Sequence, residues 1–496
     1  MKMNKINLPK DFIDQIKEEL PFDYEAFFEC YEKEPVHSLR WNPGKAISDE
    51  IKEEILGRYG IDDGAHILWE KDGYYYSEKL EDEQENRPGK SVFHEAGAFY
   101  IQEASAMYPV SVLDPRPGEI ILDLCASPGG KSTQILSKMN NDGFLVSNEI
   151  VPQRAKNLSQ NIERMGYRNC LVTNEEPGDL SKHFQHFFDK ILVDAPCSGE
   201  GMFRKNPLAI EEWSVENVEL CRERQLDILH KATTMLKAGG EIVYSTCTFA
   251  HLEDEEVINT FLETHPDFKL DKMEYLYPHK VNGEGHFGAR LLHSSKLDTL
   301  TDGGVDEESF EEVSSNGSKN KKDKKFSKGN KKDKSNSKTD KQTLALAIKL
   351  FEQFITKVAD GAAVQELNKG EMLLFGDNLY RMPLDIKIDG LKVERAGLHL
   401  GSIVKNRFEP SHALAMALTR TEILKAHQLE LLEEESAIAY LRGESIGLDK
   451  LAVDSKEYVL DGYGLVIYMD LVLGWGKLTG NQIKNHYPKG LRKDLD

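Results

Sequence analysis

Between residues 119 and 249, short apolar runs alternate with amphipathic segments, and this rhythm constrains the fold more than any other feature of the chain. The runs EIILDLCA, GFLVSNE, CLVTNE, DKILVDAP and EIVYSTCTF read as five strands. KSTQILSKM, PQRAKNLSQNIERMG and RERQLDILHKATTMLKAGG read as helices between them. Strands that alternate with helices imply parallel βαβ units and a doubly wound α/β sheet. In such sheets ligands bind beyond the carboxyl ends of the strands. The residues that close each apolar run are therefore where chemistry is sought.

Elsewhere the pattern changes. Residues 1–115 read as mainly helical (DFIDQIKEEL, YEAFFECYEK, SDEIKEEILGRYG), with ILW and GYYY as short strands. Residues 314–341 are Ser, Asn, Gly and Lys with almost nothing apolar, and cannot bury enough surface to offset the entropy of ordering. Residues 300–342 are thus expected to form a disordered linker. Beyond it, TLALAIKLFEQFITKV, HALAMALT and HQLELLEEESAIAYLRGE suit helices, and GEMLLFG and EYVLDGYGLVIYMDLVLGWGKLTG suit strands, as in a compact α+β module.

The formal charge is −21, but 319–341 carries eleven Lys against three Asp, so the rest of the chain holds −29. A polyanionic partner needs a local basic surface rather than a net charge. The run KNHYPKGLRK sets Lys484, Lys489, Arg492 and Lys493 around His486 and Tyr487, a mixture suited to phosphate contact and base stacking. Arg204 and Lys205 are further candidates for holding RNA. None of the six cysteines forms a C-x-x-C pair, so no metal site is expected. No stretch approaches ~18 uninterrupted apolar residues, and the N-terminus lacks the apolar core of a signal peptide. A cytosolic protein without a membrane partner is expected.

Three motifs sit at strand ends. In LDLCASPGGKS, the turn formed by Cys125, Ala126, Ser127, Pro128, Gly129, Gly130 and Lys131 lets backbone approach a ligand closely, and the next helix offers free N–H groups to an anion. Glu149 closes the second strand, where an acidic residue commonly takes both hydroxyls of a ribose. Arg154 follows in the next helix and joins the candidates for the cofactor. The third strand ends in Asn174, Glu175 and Glu176, one of which could accept from an adenine amino group. Asp194 ends the fourth strand. Together they outline a nucleoside pocket, and a methionine-type cofactor fits better than NAD because the turn lacks three spaced glycines. In ILVDAPCSGEGMFRKNP and YSTCTF, Cys197 and Cys247 lie just past two further strand ends and would reach the same rim.

DLCASPGGKS, DAPCSGEG and YSTCTF, in that order, resemble the Sun/Nop family of RNA cytosine-5 methyltransferases. GAFYIQEASAMYPV resembles the segment that precedes that family's catalytic fold, and YPHKVNGEGHFGARLL its closing W-P-H…G-E-G-F-F pattern, with Tyr277 in place of Trp and His286 in place of the first Phe. RFEPSHALAMAL, LRGE and GWGKLTGNQIKNHYPKGLR resemble the C-terminal end of its RsmF/YebU-like branch. The resemblance implies a Rossmann-like methyltransferase sheet over 116–299, a helical RNA-binding region over 1–115, a C-terminal RNA-binding region over 343–425 and a PUA-like module over 426–496. It implies S-adenosylmethionine as cofactor and small-subunit ribosomal RNA, naked or assembled, as partner. The family has an Asp at the third strand end; by spacing to Asp194, Glu176 is favoured here.

By the same resemblance, Cys247 adds to carbon 6 of the cytosine, Asp194 hydrogen-bonds the ring's nitrogen edge, and Cys197 aids release by removing the carbon-5 proton. A thiolate must attack because carbon 5 of cytosine is itself a poor nucleophile. Two rivals stand beside this reading. One exchanges the thiols, as in DNA cytosine methyltransferases. The other is a non-catalytic RNA-binding assembly factor, which would need neither thiol.

Overall fold

A computed structural model describes residues 6–77, 86–295, 333–452 and 462–493. Its centre is an eight-stranded sheet. In chain order the strands are β1 (Ile120–Asp123), β2 (Phe144–Asn148), β3 (Cys170–Thr173), β4 (Phe188–Asp194), β5 (Leu236–Thr246), β6 (Phe268–Leu276), β7 (His286–His293) and β8 (Val393–Ala396). They lie side by side as β6-β7-β5-β4-β1-β2-β3-β8. The strands β3-β2-β1-β4-β5 run parallel, and β7, β6 and β8 are antiparallel to their neighbours. The α/β expectation holds, with the strand order reversing between β1 and β4.

Alternation along the parallel strands divides the core into two layers. Leu122, Val146, Leu171, Ile191 and Ile242 face α4 (Val215–Met235) and α5 (Glu255–Thr264). Ile121, Leu145, Val172, Leu192 and Val243 face α1 (Gly130–Lys138) and α2 (Pro152–Met165). Both faces of the parallel strands are covered, which is why these runs look continuously apolar rather than alternating. The remaining crossover helix, α3 (Pro177–His183), joins β3 to β4. Each fully buried Leu, Ile or Val contributes about 1.5–3 kcal/mol.

The N-terminal region has the three expected helices, Lys10–Glu19, Tyr24–Glu29 and Asp49–Gly57, but more strand than expected. ILW and GYYY fall in and around the strands His66–Ile67 and Glu70–Tyr76, but His37–Trp41 and Phe99–Ile101 join them in a four-stranded sheet. His37–Trp41 alternates polar and apolar over Ser38, Leu39, Arg40 and Trp41, a five-residue signal too short to set it apart from its surroundings, and all four of these residues are buried. The expected linker 300–342 lies mostly outside the described residues; within its last third begins α6 (Asp333–Val358).

The C-terminal part does not stand apart. It contributes β8 to the central sheet, pairing Val393 with Thr173 and Ala396 with Leu171. Arginines cross this seam in both directions. Arg168 donates to Ala417 O and to both Glu422 carboxylate oxygens at 2.7 Å, Arg381 reaches Asn169 Oδ1 at 3.2 Å, and Arg395 reaches Tyr167 O at 3.1 Å. The last sheet, five strands between residues 428 and 485, shares a core with the first: Leu39, Trp41, Phe93 and Phe99 pack with Leu429, Tyr440, Tyr468 and Leu471. Among the described residues no helix is long and apolar enough to cross a membrane, and no group of three or more His, Cys, Asp or Glu is placed to hold a metal ion.

Candidate active site

At the end of β1 the chain turns through Cys125–Gly129 into α1. Gly129 has φ +110°, and a Cβ there would lie 3.0 Å from Leu158 Cδ1, so the turn needs glycine for both conformation and fit. The turn is held from outside. Pro128 O accepts from Tyr100 OH at 3.3 Å and from Asn161 Nδ2 at 2.9 Å, and Gly130 O from Arg40 Nη2 at 3.3 Å. Ala126 N donates to Asn148 O at 2.9 Å. Arg154 Nη2 donates to Ser127 O at 3.2 Å and lies 3.3 Å from Glu149 Oε2. The other Glu149 oxygen accepts from Val151 N at 2.9 Å. Burial, with nearby carboxylates, pushes the Cys125 thiol far up, so it is a neutral part of the turn.

The three candidates at the end of β3 separate. Asn174 Nδ2 donates to Glu149 O at 2.7 Å, and Glu175 turns away to accept from Lys392 N at 2.6 Å. Glu176 is exposed at the start of α3. Two of the three side chains are thus occupied by the fold itself.

The two thiols meet. Cys197 Sγ and Cys247 Sγ are 3.4 Å apart, on loops tied together at several points. Gly201 N donates to Cys247 O at 2.8 Å, and a Cβ on Gly201 would lie only 2.9 Å from that oxygen. Ser198 Oγ and Thr248 Oγ1 are 2.9 Å apart. Glu253, fully buried, accepts from Ser198 N at 2.9 Å and from Ser198 Oγ. The hydrogen bond with Cys247 and then burial push the Cys197 thiol well above its ordinary value, so Cys197 keeps its proton at rest.

Asp194 sits beside them. Its Oδ2 accepts from Lys131 Nζ at 2.8 Å and its Oδ1 from Ser245 Oγ at 2.9 Å, with His286 Nε2 3.4 Å from Oδ1. Burial works to raise Asp194, but Lys131 and His286 outweigh it and hold the carboxyl well below the usual range. Burial likewise works against the Lys131 charge, and Asp194 restores it. The site therefore presents an ionised carboxylate, an ammonium and two thiols at one rim.

Several of these partners escaped the sequence reading: the Lys131–Asp194 ion pair, Ser245, Glu253 and Asp123, whose Oδ2 accepts from Ser132 Oγ at 2.6 Å beneath the turn. All but Glu253 stand within or beside the quoted motifs. Burial pushes Asp123 and Glu253 up to about 7. A raised carboxyl contributes stability that is complete below its unfolded value, about 4, and lost as pH rises through the folded one. The thermal midpoint of the wild-type chain should therefore fall as pH climbs from 5 to 8 and fall less in Asp123→Asn; identical slopes for the two proteins would remove Asp123 from the account.

The basic candidates fare differently. Arg204 is spent on Glu284, Cys30 O and Gly283 O, and Lys205 Nζ on Val36 O at 2.6 Å, because both anchor the thiol loop to the N-terminal region. Tyr487 is 4% exposed, packed against His412 and Tyr440, and offers no stacking face. Lys493 pairs with Glu95 at 2.6 Å. Lys484, His486, Lys489 and Arg492 are exposed.

With this geometry in hand, comparison with known proteins gives a consistent result. Residues 110–298 match the family described as 16S rRNA methyltransferase RsmB/F. Residues 8–104 match the N-terminal domain of 16S rRNA methyltransferase RsmF, 353–418 its first C-terminal domain, and 429–493 its PUA domain. The ribosomal RNA small subunit methyltransferase F of Shewanella amazonensis is 30% identical over 510 residues, covering 99% of each chain. That of Shewanella loihica is 32% identical, covering 86% of this chain and 84% of its own. Among solved structures, a methyltransferase homologue from Pyrococcus horikoshii superposes with a TM-score of 0.51 at 27% identity, covering 58% of this chain and 96% of that one.

Proposed function

The chain belongs to the ribosomal RNA small subunit methyltransferase F family, and on that footing we propose that it methylates carbon 5 of a cytosine in small-subunit ribosomal RNA through a covalent adduct on Cys247. The methyl donor is S-adenosylmethionine. The observation that carries the reading is the pair of thiols 3.4 Å apart beside an ionised Asp194. A binding module has no use for that arrangement.

The residues around the first turn fit the donor. Glu149, buried at a strand end with one oxygen held by Val151 N, suits ribose hydroxyls. The first turn of α1 has N–H groups without intrahelical partners, suited to a carboxylate. Cys125, Ala126, Ser127, Pro128, Gly129, Gly130 and Lys131 line the approach, Arg154 fixes Glu149, and Glu176 is the exposed acceptor for adenine. When bound, S-adenosylmethionine supplies an electrophilic methyl group. Glu149→Ala should weaken its binding by about 1.5–3 kcal/mol, tenfold or more in Kd; calorimetry that finds the affinity unchanged would remove Glu149 from the ribose.

The chain's own groups account for the rest. Cys247 Sγ forms a bond to carbon 6, and the ring electrons move so that carbon 5 becomes nucleophilic. Asp194, acceptor-only when ionised, takes a hydrogen bond from the exocyclic amine, while the Lys131 ammonium offsets negative charge building on the ring. After methylation the Cys197 thiolate, its own proton having passed to solvent, removes the carbon-5 proton, directly or through a water. The C5–H pair then restores the double bond as the S–C6 bond breaks. The hydrogen bond that raises Cys197 vanishes once Cys247 is bonded to carbon, so Cys197 gives up its own proton more readily and is available as the base.

Residues 1–115, 343–425 and the PUA-like 426–496 are the parts that hold RNA, and a cytoplasmic location follows from a ribosomal substrate. The target base must be unpaired or flipped out to reach the thiols. Bisulfite mapping of ribosomal RNA from cells with and without the protein tests the whole reading: one or more small-subunit cytosines should lose protection when the gene is removed, and an unchanged map would refute it.

A further inference from the structure

The mechanism above leaves one buried polar group unused. His286 opens β7 just after the turn through Gly283, Glu284 and Gly285, and its neighbour Phe287 pairs with Thr246, one residue before Cys247. The side chain is 2% exposed. Its Nε2 is buried without a hydrogen-bond partner, 3.4 Å from Asp194 Oδ1. Burial and the Lys131 charge favour the neutral imidazole, although Asp194 and Glu103 pull the other way. An orphaned buried donor is costly to keep. It is retained where a small movement completes it.

Asp194 is held at present by one hydroxyl and one ammonium. Neither fixes the plane of the carboxylate against rotation when a base edge displaces Lys131 from Oδ2. A ring nitrogen from β7 would, because it approaches Oδ1 from a strand on the other side of β5. We propose that His286 is a positioning residue for the transfer: its Nε2–H closes onto Asp194 Oδ1 as the target cytosine docks, and so sets the carboxylate for the base edge. Geometry sets the direction. With its proton on Nε2, His286 is a donor and Asp194 an acceptor, and at 3.4 Å it is mainly the alignment that a small movement must supply.

This rests on the reading of Asp194 as a base contact, and the test separates the two. His286→Phe keeps the ring and removes the donor; His286→Gln keeps a donor nitrogen at similar reach. On small-subunit ribosomal RNA, His286→Phe should lower kcat about tenfold or more with KM for S-adenosylmethionine unchanged, and His286→Gln should recover most of it. In an Asp194→Ala background, His286→Phe should change nothing further. Wild-type kcat in His286→Phe, or equal loss in Phe and Gln variants, would overturn the proposal. Should His286→Phe not fold, a kcat for His286→Gln as low as that of Asp194→Ala would overturn it too. An active Asp194→Ala would instead refute the role of Asp194.

Discussion

Cys247→Ala should abolish methylation and form no covalent complex with RNA, while Cys197→Ala should attack, transfer the methyl group and then stall as an adduct. The expected loss in Cys247→Ala is several orders of magnitude, as for removal of any essential nucleophile. The stalled Cys197→Ala complex should survive denaturing electrophoresis and vanish in the double variant. The order of bond changes carries the argument: addition precedes transfer, and elimination follows both. A base missing at the end cannot prevent a bond made at the start. The geometry adds a reason for the assignment, since Cys197 is the thiol whose proton is held and it lies 3.4 Å from Cys247. Adduct in Cys247→Ala with none in Cys197→Ala would exchange the roles.

Arg168→Ala should destabilise the whole chain, by about 3–5 kcal/mol, the usual result of breaking a buried pair from one side. Arg168 is 9% exposed at its side chain and gives four hydrogen bonds to Ala417 O and Glu422 across the seam with the C-terminal part. Its loss leaves Glu422 without its cation, its carboxylate held only by Thr419, and Ala417 O without a donor. Thermal unfolding should begin earlier, and cleavage on the C-terminal side of the seam should quicken. A midpoint equal to wild type would mean that Arg381 and Arg395 alone hold the seam.

The catalytic sheet was legible because each parallel strand carries its own apolar run and ends in a polar residue where the chain leaves the sheet. Glu149, Asp194 and the two cysteines could be put on one rim from that alone. What was not legible depends on long-range pairing. His37–Trp41 carries only a five-residue alternation, and its partners on both sides, Tyr76 opposite His37 and Ile101 opposite Leu39 among them, come from distant parts of the chain. Val393–Ala396 is four residues long, and only its partner β3 makes it a strand. Arg204 and Lys205 looked free because their acceptors, Glu284, Cys30 O, Gly283 O and Val36 O, lie 79 to 174 residues away in sequence. Charge beside a motif does not distinguish a hand held out to RNA from a bolt inside the protein.

The strand β8 ties enzyme synthesis to a schedule. The ribosome finishes β7 at His293 and must make about a hundred more residues before Val393–Ala396 emerges. Until then β3 is the outermost strand, with one row of peptide groups open to any passing strand. A nascent or truncated chain that ends near residue 300 is therefore an adhesive object rather than a smaller enzyme. The same segment that closes the edge leads into the part that grips RNA. The strand that closes the edge and the C-terminal parts proposed to hold RNA thus arrive together, late in translation, and a copy terminated near residue 300 has neither.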